Sequence, residues 1–247
     1  MYKQKTIAVV VPAYKEEELI EETLSSIPEY VDKIYAVDDG SPDRTFQIIQ
    51  EFAEKDSRVI PVHHKENGGV GAAIVSGYKK SLEDGMDIAV VMAGDNQMDP
   101  DYLPDILTPI VEGRADYSKG NRLLNSEYRR GMSRWRLFGN LLLTFLNKVA
   151  SGYWHLVDPQ NGYTAISRRA LERIDLDSIY PWYGYPNDML IKLNVYGFRV
   201  VDVPHPARYG NEKSKITYGK YIFKVSWLLL KGFFWRLNMK YSSSFKK

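Results

Sequence analysis

The residues best equipped for chemistry fall in three short polar clusters, each directly behind an apolar run. They are Pro12-Ala13-Tyr14-Lys15-Glu16, Asp38-Asp39-Gly40-Ser41 and Gly94-Asp95-Asn96-Gln97. The third is the most pointed. Asp87 to Met92 reads as a buried strand that stops at Gly94, and Pro100-Asp101 reads as the start of a helix. Asp95, Gln97 and Asp99 therefore sit just past the carboxyl end of a strand, where ligands of open α/β sheets bind. A carboxylate there suits a hard divalent cation held against a diphosphate. Each cluster alone is also what a strand-to-helix turn or cap requires. Three on one sheet edge shift the weight towards a site.

The elements that position these clusters alternate in type. Strands are expected at Thr6–Pro12, ended by Pro12, at Lys33–Val37, at Val59–Val62 and at residues 88–92. Helical spacing lies between them, over Glu16–Ile27, through Phe46, Ile49 and Phe52, through Ile74 and Tyr78, and over 101–112. Further on, a helix is expected over Leu137–Val149, a strand at Gly162–Ile166, a helix over Pro186–Val195 and a strand at Arg199–Val203. No helix or strand is expected at Asp116 to Arg122, which leads into a basic run. Strand–helix alternation predicts a doubly wound α/β sheet, mostly parallel, with helices on both faces.

Composition narrows the function classes. The chain has 247 residues, no cysteine and a formal net charge of +2. Disulfides and thiolate metal sites are excluded, and wholesale nucleic-acid binding is not expected. No Gly-x-Gly-x-x-Gly follows the first strand and no Walker-type Gly-Lys-Ser/Thr is present, which removes the sequence case for a nicotinamide cofactor or a P-loop. Asn67-Gly68-Gly69-Val70-Gly71 follows the third strand instead, where its glycines permit tight helix–sheet packing. No run reaches the ~18 uncharged apolar residues of a membrane span.

Together, Val10-Val11-Pro12-Ala13-Tyr14-Lys15-Glu16-Glu17, Val37-Asp38-Asp39-Gly40-Ser41-Pro42-Asp43 and Asp95-Asn96-Gln97-Met98-Asp99-Pro100 resemble the family 2 glycosyltransferases of GT-A fold. Asn161-Gly162-Tyr163, Asn187-Asp188 and Arg208 to Lys215 extend the likeness, which is greatest to the polyprenyl- and dolichyl-phosphate sugar synthases. The resemblance implies that Pro12, Ala13, Tyr14, Glu16, Asp39, Gly71 and Gly94 line a nucleotide-sugar donor. It implies Asp95, with Gln97 beside it, as the ligand of Mg2+ or Mn2+, and Arg208 and Lys215 as cations closing over the diphosphate. The chain departs from the family at Ala93, where the Asp-x-Asp motif has its first aspartate. Asp188 matches the acidic position that serves as general base towards hydroxyl acceptors. A phosphate acceptor is already ionised and needs none.

By the same resemblance, Arg122 and Arg134 or Arg136 hold the acceptor phosphate, in a basic run that also includes Arg129 and Arg130 and precedes the apolar Leu137–Val149. Cations beside a lipid-facing surface suit a headgroup on an isoprenoid tail. Over Tyr218–Tyr241, Lys220, Lys224 and Lys231 share one helical face, and Ile222, Val225 and Leu229 another. That pattern fits an interfacial helix and equally a terminal helix packed on the domain. The expected organisation is a catalytic domain over 1–215 and a basic, aromatic helix over 216–247, placed at the cytoplasmic face of the cell membrane. Two other readings stay open: transfer to a saccharide hydroxyl with Asp188 as base, and a nucleotide-sugar binder that has lost catalysis at Ala93.

Overall fold

The computed structural model describes residues 1–123, 134–206 and 218–241, with the backbone alone for 134–138, 140 and 218–221. Seven strands form one sheet: β1 (Ile7–Ala13), β2 (Lys33–Asp38), β3 (Val59–His63), β4 (Ile88–Val91), β5 (Tyr117–Asn121), β6 (Thr164–Ser167) and β7 (Val200–Pro204). Eight α-helices accompany them: α1 (Ile20–Ser26), α2 (Thr45–Ala53), α3 (Val70–Glu83), α4 (Leu103–Val111), α5 (Arg134–Ser151), α6 (Arg168–Arg173), α7 (Tyr185–Val195) and α8 (Tyr218–Tyr241).

The strand order is β3-β2-β1-β4-β6-β5-β7, and β6 runs antiparallel to both of its neighbours. The other pairings are parallel. One reversed strand has a simple consequence for the site. The carboxyl ends of β1, β2, β4, β5 and β7 and the amino end of β6 all meet on one edge.

The β-branched run at the start dictates the central layer. Ile7, Val9 and Val11 face one side of the sheet with Ile20, Leu24, Leu103 and Leu107, while Ala8 and Val10 face the other with Ile74, Tyr78 and Met189. Gly77 lets α3 lie directly on β1, since a Cβ there would stand 2.2 Å from Val10 Cγ1. A third cluster joins Leu143 and Ala150 of α5, Ile191 of α7 and Val225 and Leu229 of α8. Arg236 of α8 donates to the carbonyls of Ala150 (2.8 Å) and Val149 (3.1 Å), satisfying the open end of α5.

Several expectations are corrected. Pro12 does not end β1: it stays in register opposite Val37, and the strand runs to Ala13 opposite Asp38. Its missing N–H costs nothing on the β4 side, where pairing has already stopped at Val10–Val91. Asp116–Asn121, where no element was expected, contains β5. The first helix starts at Ile20 and not at Glu16, because Glu16–Leu19 form a turn whose Glu16 carbonyl accepts from Leu19 and Ile20. On α8 the apolar pair Val225 and Leu229 points into the protein, and Phe223, Trp227, Leu230 and Phe234 share the exposed surface with Lys224 and Lys231. The packed face foreseen for that helix is present at Val225 and Leu229.

Candidate active site

Working along the shared edge from β2, Asp39 is the first site residue. Its buried carboxylate accepts the backbone N–H of Gly68 (3.0 Å) and Gly69 (2.8 Å) and is bonded to His64 Nδ1 at 2.7 Å. Asp39 therefore ties the end of β2 to the glycine-rich turn that opens α3. Gly69 adopts a φ of +95°, and a Cβ there would collide with the carbonyl of Pro181 at 2.4 Å and the ring of Trp182 at 2.8 Å. Gly71 donates its N–H to the Pro181 carbonyl at 2.7 Å, and a Cβ on it would meet Tyr180 O at 2.4 Å. Gly71 is thus covered by the Tyr180–Trp182 segment. Its place answers to close packing, the alternative its sequence context left open.

At β1, Ala13 and Pro12 are buried, Tyr14 and Glu16 are half-buried, and Lys15 has a φ of +58°. Ser41 Oγ accepts the Lys15 N–H at 3.0 Å and Thr45 Oγ1 the Glu16 N–H at 2.9 Å, so the β1 and β2 loops hold each other. Gly94 donates to the Pro12 carbonyl at 3.0 Å, and a Cβ would press on Ile20 Cδ1 at 3.0 Å. Pro12, Ala13, Tyr14, Glu16, Asp39 and Gly94 are accordingly brought together along one edge of the sheet.

Asp95 follows in a tight turn. Its Oδ1 accepts the Gln97 N–H at 3.1 Å, and Asn96 between them has a φ of +55°. Asp99 caps the short 3-10 turn at Pro100–Tyr102 through Asp101 N–H at 3.0 Å. Its carbonyl accepts from Tyr163 Oη at 3.1 Å, which fixes the loop against β6. Among the described residues no group of three His, Cys, Asp or Glu forms a ready-made metal cage. The residues present fit a different kind of metal site. Mg2+ and Mn2+ bound for phosphate chemistry take one or two protein carboxylates and complete their shell with water and phosphate oxygens. Asp95, half-buried at the sheet edge with Gln97 two residues on in the same turn, offers a donor set of that kind.

Asp188 lies in the first turn of α7 and is buried. Its Oδ2 accepts both the Tyr180 N–H at 2.8 Å and the Lys192 ammonium at 2.6 Å, and Lys192 in turn lies 5.5 Å from the Trp235 ring centroid of α8. Neighbouring Asn187 accepts from Asn147 (2.9 Å) and Gln160 (3.0 Å) through Oδ1. None of these partners was foreseen, although the i,i+4 spacing of Asp188 and Lys192 was visible.

Arg122, immediately after β5, grips Asp158 with two bonds, Nε to Oδ2 at 2.8 Å and Nη2 to Oδ1 at 2.9 Å. Burial pushes the Asp158 carboxyl up, but the charge and hydrogen bonds of Arg122, with the charge of Lys119, outweigh it and bring it down to about 2. Beneath lies a second buried pair, Lys119 Nζ to Asp202 Oδ1 at 2.7 Å, with Asn121 and the Val157 N–H on Asp202 Oδ2. The expected side-chain positions of Arg134 and Arg136, and all of Arg208 and Lys215, lie outside the described residues.

An open mixed α/β sheet with acidic, amide and basic residues along one edge is the class of architecture the chain adopts. The chain belongs to glycosyl transferase family 2, whose family model matches residues 8–175. It is 34% identical over 181 residues, 68% of this chain and 72% of the relative, to a UDP-N-acetylglucosamine–dolichyl-phosphate N-acetylglucosaminyltransferase of Methanococcus voltae. It is 30% identical to an undecaprenyl-phosphate mannosyltransferase of Micrococcus luteus, covering 80% of this chain and 82% of that one. In fold it is similar to glucosyl-3-phosphoglycerate synthase from Mycobacterium tuberculosis, solved with Mn2+, UDP and phosphoglyceric acid. The TM-score is 0.68 at 21% identity, over 94% of this chain and 78% of that one. The GT-A architecture and glycosyltransferase class are thereby settled.

Proposed function

We propose that the protein transfers a sugar, with inversion, from a nucleotide-sugar to a polyprenyl or dolichyl phosphate. The single observation that carries the acceptor class is the condition of Asp188. Asp188 Oδ2 is held by the buried Lys192 ammonium and the Tyr180 N–H, which engages the carboxylate as a strut between α7 and the Tyr180–Trp182 segment. An acceptor phosphate arrives already ionised and asks nothing of it. The acceptors named for the relatives in Methanococcus and Micrococcus support the same reading.

In this account the donor lies over Pro12–Glu16, Asp39 and Gly94. A divalent cation held by Asp95 and Gln97 supplies charge neutralisation for the leaving diphosphate. The chain's own part is to align donor and acceptor for in-line displacement and to hold the acceptor phosphate at Arg122. Arg208 and Lys215 complete the diphosphate site in the proposal, and Arg134 and Arg136 the acceptor site.

No described helix is long and apolar enough to cross a membrane. The exposed Leu141, Leu142 and Phe145 of α5 and Phe223, Trp227, Leu230 and Phe234 of α8, with Lys224 and Lys231 among them, support contact with a lipid surface. We place that contact at the cytoplasmic face of the membrane.

The test is sugar transfer from a panel of GDP- and UDP-sugars to a short-chain polyprenyl phosphate, with Mg2+, Mn2+ or chelator. Transfer to the lipid that chelator abolishes supports the whole reading. Transfer to saccharide hydroxyls alone overturns the acceptor, and donor binding without any transfer overturns catalysis.

A further inference from the structure

Arg122 does not stand alone at the sheet edge; it is the outer end of a chain of four side chains. Asp158 grips it, and Asp158 is itself fully buried on a left-handed residue with a φ of +52°. Asn161 stands behind Asp158, with Nδ2 at 3.4 Å from Asp158 Oδ2 and 2.8 Å from His205 Nε2. The orientation of the Asn161 amide is fixed, because its Oδ1 accepts the Tyr163 N–H at 3.0 Å. Nδ2 must therefore face His205 as a donor, and His205 Nε2 must be an acceptor. That geometry admits only the neutral imidazole with its proton on Nδ1.

The imidazole is built in. It is 4% exposed, sits edge-on to the Tyr163 ring at 5.8 Å and tilted to Tyr102 at 6.2 Å, and occupies space that any side chain at Gly120 would claim. A Cβ on Gly120 would lie 2.3 Å from Nε2. Burial first, and the nearby Arg122 charge second, lower its pKa to about 4, which agrees with the neutral form the hydrogen bonds demand. The charges around the chain cancel: Arg122 against Asp158, Lys119 against Asp202. Arg122 thus brings a rigid, directed fork of N–H groups more than net positive charge.

We propose that Asp158, Asn161 and neutral His205 are positioning residues that aim Arg122 at the acceptor phosphate. The inference rests on the reading of Arg122 as a phosphate ligand, and deepens it. A side chain as long as arginine otherwise spreads over many rotamers, so fixing one edge on Asp158 removes an ordering cost from acceptor binding.

The experiment compares His205→Leu, Asn161→Leu, His205→Gln and Arg122→Gln in the full chain, with donor and acceptor KM measured separately on short-chain polyprenyl phosphate. His205→Leu and Asn161→Leu are expected to raise the acceptor KM about tenfold and leave the donor KM within about twofold. His205→Gln, which offers an acceptor oxygen near the place of Nε2, is expected to restore most of the acceptor affinity. Equal losses on both substrates in the Leu variants would reduce the chain to a folding role and overturn the proposal. Loss in Arg122→Gln without loss in folded His205→Leu would overturn the proposal and leave Arg122 as a ligand. No loss in Arg122→Gln would remove the reading beneath it. A second measurement needs no variant: with four histidines in the chain, 15N-imidazole NMR resolves each one. His205 is expected to show an unprotonated Nε2 that responds to the short-chain lipid phosphate, and silence on adding it would contradict the aiming role.

Discussion

The Asp188 carboxylate receives the Lys192 ammonium at 2.6 Å, one helical turn along α7, and both side chains are buried. The pair also holds the Tyr180 N–H, so it fixes the segment that lies over Gly69 and Gly71 at the donor edge. Through the Trp235 ring it reaches α8. Asp188 and Lys192 thus clamp the Tyr180–Trp182 segment to α7.

Removing one partner of a buried ion pair leaves an uncompensated charge, which costs ~3–5 kcal/mol. Lys192→Met should lose stability on that scale in urea unfolding, and adding Asp188→Asn should recover part of it. With a lipid phosphate acceptor, Asp188→Asn alone should keep a substantial share of kcat. Near-complete loss with the fold intact would identify Asp188 as the base and point to a hydroxyl acceptor.

Acid should unfold the protein in two steps of different origin. His205 has a folded pKa of about 4, below its ordinary value, so the folded state binds fewer protons than the unfolded chain between about pH 6.5 and 4. Stability is full above that window and falls through it by about 3 kcal/mol. Burial first, then the charges of Arg122 and Lys119, lower this pKa, and the Pro206 backbone and Asp158 oppose them. Asp158, down at about 2, adds a second loss of about 2 kcal/mol between about pH 4 and 2. His205→Gln should flatten the first decline only, as read from urea midpoints across pH. An unchanged slope would place the sensitivity elsewhere.

Gly71→Ala should be far more harmful than a helix-surface glycine change. A methyl group 2.4 Å from the Tyr180 carbonyl forces that segment away, at ~1–3 kcal/mol of overpacking. Donor KM should rise with it, because the displaced segment rests on Gly69 and Gly69 is bound by Asp39. Gly113→Ala, whose Cβ would touch nothing, pays only its backbone strain at φ +69° and should leave the donor KM alone.

The sequence shows most of these elements in both halves and misses strand β5 and the direction of β6, for a physical reason. Strands β1 to β4 are apolar runs whose burial alone dictates their form. Strand β5 is Tyr-Ser-Lys-Gly-Asn, buried at every position, and no periodicity announces it. Each polar group there has a specific distant partner: Ser118 donates to the Ile106 carbonyl, and Lys119 and Asn121 to Asp202. Those partners lie from 12 to 83 residues away, and only the folded chain brings them together. The same limit hid the reversed direction of β6 and the Asp158–Asn161–His205 chain. The polar clusters behind β1, β2 and β4 were legible because strand-to-helix turns and caps call for the residue types found there.

The central claim is transfer of a sugar to a lipid phosphate, assisted by a cation at Asp95. The most direct measurement is product formation with a short-chain polyprenyl phosphate, the cognate nucleotide-sugar and Mn2+ or Mg2+, for the natural chain, Asp95→Asn and Ala93→Asp. The account predicts lipid-linked product from the natural chain, at least a hundredfold loss on chelation or in Asp95→Asn, and equal or tighter metal dependence in Ala93→Asp. A natural chain that binds donor yet transfers nothing, and gains activity only in Ala93→Asp, would contradict it.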